Sequence, residues 1–512
     1  MIVRLADLLA AVLLGGALLV VAAVLAVAFA TRRLTRWAEA QLGDDSRRGP
    51  VELAYALAAF PPRDVLLTAQ RAAHGVPAAV AMESPLARAW LDQVRFDPAT
   101  LSPPARPPRP PARLAVELGP RARRPLGLAF PVLFTAMGWG VGVSDDVRQV
   151  LAEAAALTGV AVNAGEGPVL PLELDTDVRW VWQWGRSSWQ TTPSALPAAM
   201  IELQVGQASE GGTAVRKRRR YLPRVMRVVP GLRGPLRIGA GLARPLAAWV
   251  RAARTAGQGC PVAVKLPASQ HVERDLARAV LAGADVIVLD GAGAGTAGSP
   301  AVLSDNLGIP APVAVARARR WLDRDPRGAG VSLVASGHAH GAADIAKLLA
   351  LGADAVAVGT AALVAMSHGQ ASAPLPAHGP TDLVLSLGGR NGQTFDRDLA
   401  AERLADWLVA TREELALLCQ ALGLTDVCDL GRAHLVADTP VTARALGIAW
   451  YGEAVTLSAI GSLATQVRDA AARAAGAWDT ILAARGRPPR RAAPGRRRQA
   501  GRLVAHGASG RG

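Results

Sequence analysis

Ala284-Asp-Val-Ile-Val-Leu-Asp-Gly-Ala-Gly-Ala-Gly-Thr-Ala-Gly-Ser-Pro300 is the stretch whose reading decides the fold. Residues 286–290 are aliphatic and mostly β-branched, without polar alternation until Asp290. That is the pattern of a parallel strand covered on both faces. Gly291, Gly293, Gly295 and Gly298 follow Asp290. A backbone so rich in glycine can lie close to a ligand at little steric cost. An acid and a glycine loop at the C-terminal end of a parallel strand is where α/β barrels hold their chemistry. A plain flexible loop has the same composition, so the segment alone does not decide.

The pattern recurs downstream. Residues 331–337, Val-Ser-Leu-Val-Ala-Ser-Gly, read as a second buried strand, with a helix over 341–352 behind it. Residues 353–360, Ala-Asp-Ala-Val-Ala-Val-Gly-Thr, read as a third, with a helix from Ala361. Strands ending in Ser336-Gly337 and Gly359-Thr360, each opening a helix, offer backbone N–H groups suited to a phosphate. Upstream, strands are expected over 128–137, 159–163, 178–184, 199–204 and 261–266. Helices are expected over 144–158, with Ser144 as N-cap, and over 245–256 and 271–282. Helices over 398–422 and 455–485 close the domain. About seven or eight strand–helix alternations argue for an α/β fold, a (β/α)8 TIM barrel. A doubly wound open sheet is the alternative, but no Gly-x-Gly-x-x-Gly follows the first strand.

One transmembrane helix and a small helical segment precede the barrel in this reading. Residues 8–30 are an unbroken apolar run, enough to cross a hydrocarbon core of about 30 Å. Arg32, Arg33 and Arg36 follow it, which puts the barrel on the cytoplasmic side of a single-pass membrane protein. A signal peptide would carry its positive flank on the other side. The expected division is an anchor at 1–36, a helical pre-domain at 37–96, a Pro-rich linker at 97–113, the barrel with its C-terminal helices at 114–484, and a basic disordered tail at 485–512. Short helices are expected over 51–60, 62–73 and 85–94. The formal charge is +16 and rests on arginine, the lysines being Lys217, Lys265 and Lys347 alone. A GC-rich genome accounts for that bias, and no nucleic-acid partner is expected; the tail suits anionic lipid. Cys260, Cys419 and Cys428 show no metal spacing and suit a reducing compartment.

Lys265 is the only lysine at a strand end. A single cation aimed into a barrel mouth can stabilise negative charge on a reduced flavin or on a substrate carboxylate; an ordinary solvent lysine is the bland alternative. Asn163, Glu166, Glu202, Gln204 and Asp290 also sit at or near strand ends and would converge on the same mouth. Trp180, Trp182, Trp184 and Trp189 read either as a wall for a flat ligand or as core. His338 and His340 have no third ligand at recognisable spacing, so no metal site is expected.

Thr135-Ala-Met137, Asn163-Ala-Gly-Glu-Gly167, Met200-Ile-Glu202, Val262-Ala-Val-Lys265, residues 284–300, Asp305-Asn-Leu-Gly-Ile-Pro310 and Ala335-Ser-Gly337 stand in a telling order. Over residues 128–422 the chain resembles the FMN-binding synthase domain of glutamate synthase. The resemblance implies a non-covalent FMN over the barrel mouth. It implies an oxidoreductase that passes a hydride from reduced flavin to 2-iminoglutarate, formed from 2-oxoglutarate and ammonia, giving glutamate. Thr135, Ala136 and Met137 would back the flavin ring, and Lys265 would face its electron-rich edge. Asn163, Gly165, Glu166, Asp290, Gly291, Gly295 and Thr296 fall in the cofactor-binding stretches. Ser336, Gly337, Gly359 and Thr360 would hold the phosphate. Lys265, Glu202 and Gln204 form the expected catalytic set.

The chain also departs from the family pattern. No cysteine lies at 368–380, where the iron–sulfur motif of the family falls, so no cluster is expected and the electron donor is unknown. Gln204 stands where the family has a lysine, and Gly293 where it has an acid. No N-terminal cysteine amidotransferase domain is expected. These departures leave open a flavin-fold enzyme for another amino or keto acid, of the N-methylglutamate synthase type, or a degenerate non-catalytic barrel.

Overall fold

The computed structural model describes residues 24–33, 58–60, 62–75, 90–98, 111–139, 143–168, 177–185, 198–208, 245–292, 307–370 and 395–453, with two short strands and a few single positions besides. Residues up to Gly452 form one compact unit, and Glu453–Gly512 cluster separately.

Eight strands close into a parallel barrel: β1 (Val132–Phe134), β2 (Ala161–Asn163), β3 (Arg179–Trp184), β4 (Met200–Gln204), β5 (Val262–Pro267), β6 (Val286–Asp290), β7 (Ser332–Ser336) and β8 (Ala355–Val358). Each pairs in parallel with its neighbour in sequence, and β8 closes on β1. Closure rules out the open doubly wound sheet. The described helices are α1 (Pro62–His74), α2 (Asp145–Thr158), α3 (Leu246–Ala256), α4 (Val272–Leu281), α5 (Ala311–Arg324), α6 (Ala342–Ala350), α7 (Thr360–Met366), α8 (Arg397–Ala421) and α9 (Pro440–Leu446).

The strands read as continuous apolar runs because both faces are covered. Ile201, Leu203, Val262, Val264, Ile287, Leu289, Leu333 and Val356 face the helices in one buried cluster. The alternate residues Val181, Met200, Ala263, Val286, Val288, Val334 and Ala355 fill the barrel interior in a second. Leu118, Leu126 and Leu128, from an antiparallel hairpin of Val116–Leu118 and Leu126–Leu128, join this inner cluster. The hairpin plugs the N-terminal end of the barrel, where the Gly119 N–H donates to Ser332 Oγ at 3.0 Å.

Local signals explain the boundaries. Ser144 Oγ accepts the Val147 N–H, and Gly159 ends α2 at φ 72° in the left-handed region. The repeated Gly-Ala-Asp before β6 and β8 has one physical purpose. Asp285 Oδ2 accepts the Val262 N–H at 3.0 Å, and Asp354 Oδ2 accepts the Leu333 N–H at 2.6 Å. Each acid fastens the start of its own strand to the start of the preceding one.

Several expectations are corrected. The single strand expected over 128–137 is split: Leu126–Leu128 belongs to the plug and β1 begins at Val132, because Pro131 has no N–H for a ladder. The described end of the helix expected over 85–94 is a turn leading into a strand, Val94–Phe96. That strand pairs antiparallel with Leu435–Ala437, which pairs in parallel with Ala449–Trp450. Trp180 and Trp182 point outward into the helix-facing core, and Trp184 meets Trp249 of α3 edge-on, ring centroids 4.7 Å apart. They are packing residues and not a ligand wall; Trp189 lies outside the described residues.

The transmembrane expectation is not supported. Among the described residues no helix is long and apolar enough to cross a membrane; residues 24–33 are helical, and the remainder of the run at 8–30 lies outside the described set, as do 455–467 of the expected last helix.

Asp285 is buried and joins the Val262 N–H to the Arg254 guanidinium. Removing it orphans a buried donor, at a cost of about 2–3 kcal/mol. We expect Asp285→Ala to lose that much in a denaturant titration, against under about 1 kcal/mol for Asp323→Ala, whose exposed carboxylate pairs with Arg319 on one helix.

Candidate active site

The C-terminal mouth of the barrel gathers the inward polar residues of successive strands. Asn163 ends β2, Gln183 lies near the end of β3, Glu202 and Gln204 line β4, Lys265 lies on β5, Asp290 ends β6 and Ser336 ends β7. All seven are buried. They sit directly above the apolar layer of Val181, Met200, Ala263, Val288 and Val334, because side chains along each strand alternate in facing.

Lys265 is the centre. Its ammonium lies 3.4 Å from Asp290 Oδ1, both groups almost wholly buried. Burial works against the charged form, but the neighbouring carboxylates of Asp290, Glu202 and Glu166 outweigh it, and the Lys265 pKa is raised. The ammonium is therefore held charged in a place that would otherwise neutralise it. Asp290 Oδ2 also accepts the Ala208 N–H at 3.4 Å, tying the loop after β4 to β6.

At Glu202 burial prevails and raises the pKa; the pull of Lys265 and a hydrogen bond from Asn163 oppose the shift, and Asp290 adds to it. Asn163 Oδ1 accepts the Gly165 N–H at 2.9 Å, so its amide hydrogens face Glu202. Glu202 Oε1 has no hydrogen-bond partner among the described residues, and neither has Gln204 Nε2. Gln183 donates through Nε2 to Gln204 Oε1. Gln183 is the inward polar residue of this floor that sequence reasoning missed. Its signal was the polar residue at the inward register between outward tryptophans.

The loops around this floor touch. At Gly165, φ 63°, a Cβ would fall 2.4 Å from Met137 O, so only glycine lets the β2 loop lie against the β1 loop. The Trp139 N–H then reaches Glu166 O at 2.8 Å. Thr135 donates its N–H to Val358 O, and its Cγ2 occupies the space that a Cβ on Gly359 would need. The Gly291 N–H donates to Ser336 O at 2.8 Å, and Gly337 lies beside Gly291 and Ala294. The structure thus brings Asn163, Glu166, Glu202, Gln204, Lys265 and Asp290 into one floor. It places Thr135 to Met137, Gly165, Gly337 and Gly359 just beyond the strand ends, and Ser336 as the last residue of β7. Gly291 differs from the expectation in one respect: the side a Cβ would occupy is filled by Ala311 at the start of α5, so this glycine is required for packing. Thr360 is exposed as the first residue of α7. Gly295 and Thr296 lie outside the described residues. His338 and His340 stand with ring centroids 6.3 Å apart, and no group of three metal-ligating side chains converges among the described residues.

Comparison with known proteins gives the same barrel a family. The conserved region in glutamate synthase matches residues 116–425. A glutamate synthase large subunit-like protein of Rhizobium meliloti (strain 1021) is 34% identical over 271 residues, covering 49% of this chain and 59% of that protein. An archaeal-type glutamate synthase (NADPH) of Thermotoga sp. (strain RQ2) is 33% identical over 270 residues, 50% of this chain and 51% of that protein. The chain spans about half the length of the curated relatives it matches. Among solved structures, a protein described as a lactate oxidase of Pediococcus acidilactici is 15% identical, covers 75% of this chain and 92% of that chain, and superposes at a TM-score of 0.44, too remote to argue from. The match over residues 116–425 takes in every strand of the barrel, and the chain belongs to the glutamate synthase family.

Proposed function

We propose that the chain is an FMN-dependent oxidoreductase of the glutamate synthase type, acting on a 2-oxoglutarate- or glutamate-like substrate. The observation that carries this reading is the buried Lys265 ammonium at the barrel mouth, kept charged by Asp290, Glu202 and Glu166. The residues present fit a flavin. Lys265 offers a desolvated cation to an electron-rich ring edge, and the uncommitted Glu202 Oε1 and Gln204 Nε2 are buried polar atoms that await a partner. Ser336, Gly337, Gly359 and Thr360 would hold the phosphate through backbone N–H groups, and Thr135, Ala136 and Met137 would lie behind the ring.

When bound, FMN supplies the hydride that reduces an imine carbon. The protein supplies the rest. Lys265 stabilises negative charge at the mouth, and Asp290 fixes its position. Glu202 retains a proton to higher pH than a solvent carboxyl does, and its Oε1 can deliver that proton to the substrate nitrogen, completing the amine. Gln183 and Gln204 form a neutral amide pair where the family resemblance expects a lysine. That pair supports a second reading, in which the substrate is another amino or keto acid and the reaction is of the N-methylglutamate synthase type.

Purified protein is expected to be yellow and to release flavin on denaturation. Reduced protein should be reoxidised anaerobically by 2-oxoglutarate with ammonium; reoxidation only by other keto acid and amine pairs would favour the second reading. Lys265→Gln should keep flavin and slow reoxidation at least about 100-fold. Colourless protein that takes up no FMN sinks both readings.

The raised Glu202 pKa fixes the sign of a pH effect. A carboxyl that binds its proton more tightly in the folded state contributes stability at acid pH, which is lost as pH rises through the raised value. Wild type should therefore lose stability relative to Glu202→Gln as pH rises through that window, measured by denaturant titration. A wild-type stability that rises with pH relative to Glu202→Gln would contradict the assignment.

We further propose that residues 8–30 anchor the protein in a membrane with the barrel on the cytoplasmic side. The supports are the apolar run and the arginines that follow it. The protein should stay with membranes through alkaline extraction, and release into the supernatant would refute anchoring.

A further inference from the structure

The inward register of β3 and β4 sets two amides beside the buried ammonium. Gln183 pairs in register with Glu202, and Gln204 pairs in register with Lys265. Neighbouring strands lie about 4.8 Å apart, so Gln204 and Lys265 stand side by side on the inner face of the barrel. Gln183 reaches diagonally to the next residue pair, its Nε2 donating to Gln204 Oε1. That bond engages the carbonyl of Gln204 and leaves its amide hydrogens over. Gln204 is 2% exposed, and its Nε2 has no hydrogen-bond partner among the described residues.

A buried donor without an acceptor carries a desolvation cost, which packed interiors avoid. An acceptor is close in sequence: Glu202, two residues back on the same face of β4, has an unpartnered Oε1. The two do not bond. Asn163 holds Glu202 and Gln183 holds Gln204, so each is kept from the other. What results is two donors at neighbouring positions, the Lys265 ammonium and the Gln204 amide, with full charge on one alone. Among the described inward residues of the mouth, Lys265 is the only cation.

We infer that Gln204 donates, next to Lys265, to the electron-rich edge of the flavin, and that the Gln183–Gln204 pair sets the flavin's reduction potential. The inference rests on the flavin reading given above. Reduction adds negative charge to that edge, and each nearby donor stabilises the reduced form according to the charge it brings. A neutral amide does so less than a cation. The carboxylates of Asp290, Glu202 and Glu166 surround Lys265, so one full positive charge faces the ring against several negative ones. The site is thereby tuned to make reduced flavin a strong reductant, from which a hydride leaves readily for an imine carbon. Gln183 is a positioning residue: it acts by fixing which end of the Gln204 amide is left for the ring.

The test is the midpoint potential of the flavin in the purified holoprotein, read by anaerobic equilibration with a reference dye. Gln204→Lys adds charge at the edge and should favour the reduced form about tenfold or more, a rise of about 30 mV or more for a two-electron couple. Gln204→Leu keeps the bulk, removes the donor and should lower the potential. Gln183→Leu releases the amide and should lower it by a smaller amount. If Gln204→Lys does not fold, the two leucine variants still decide. Wild-type potentials in every variant that folds, or shifts of the same sign in Gln204→Lys and Gln204→Leu, would overturn the inference and leave the flavin reading standing. A folded Gln204→Leu protein that takes up no FMN would overturn it as well, because the residue would then serve binding and not tuning. Wild type that takes up no FMN would overturn both.

Discussion

A charged ammonium stays buried at the top of a closed barrel only if anions surround it. Lys265 meets that condition through Asp290, with Glu202 and Glu166 nearby. An unpaired buried charge costs several kcal/mol, so the four residues must arrive together or not at all. They come from three strands and a loop, and no local stretch of chain could assemble them. The barrel does so by register: Lys265 pairs with Gln204 across β5 and β4 and with Val288 across β5 and β6, which sets Glu202 and Asp290 on either side of it. A one-residue slip of any of these strands would turn its member outward into the helix layer.

That register is enforced away from the site. At the strand starts, Asp285 and Asp354 fasten neighbouring strands by their first backbone N–H groups, and the hairpin plug fills the end that would otherwise admit water. At the strand ends, Gly165 and Gly359 permit loop contacts that any side chain would block. The apolar layer between plug and mouth confines the inward polar side chains to one end. Stability is thus concentrated at one end and reactivity at the other, and loops at the reactive end can vary without disturbing the frame.

Much of this was legible in the sequence. Residues 286–290 were bounded correctly because their uninterrupted apolar run has no other good reading, and Ser144 announced its cap. Lys265 stood out as a lysine in an arginine-rich chain. The first strand was read too long because hydrophobicity continues through Phe130-Pro131, while the missing N–H of Pro131 decides the pairing. The tryptophans of β3 were ambiguous because facing depends on barrel register, which composition does not carry. Gln183 was hidden for the same reason. Val94–Phe96 was invisible as a strand because its partner, Leu435–Ala437, lies far along the chain.

The family membership and the floor of buried polar groups point one way, and a single measurement bears on them most directly: the crystal structure of the protein grown with FMN. The account predicts an isoalloxazine edge within hydrogen-bonding distance of Lys265 Nζ, and a phosphate at the N–H groups that follow Ser336 and Val358. Flavin bound elsewhere, or a mouth that excludes it while Lys265 stays paired with Asp290, would contradict the account.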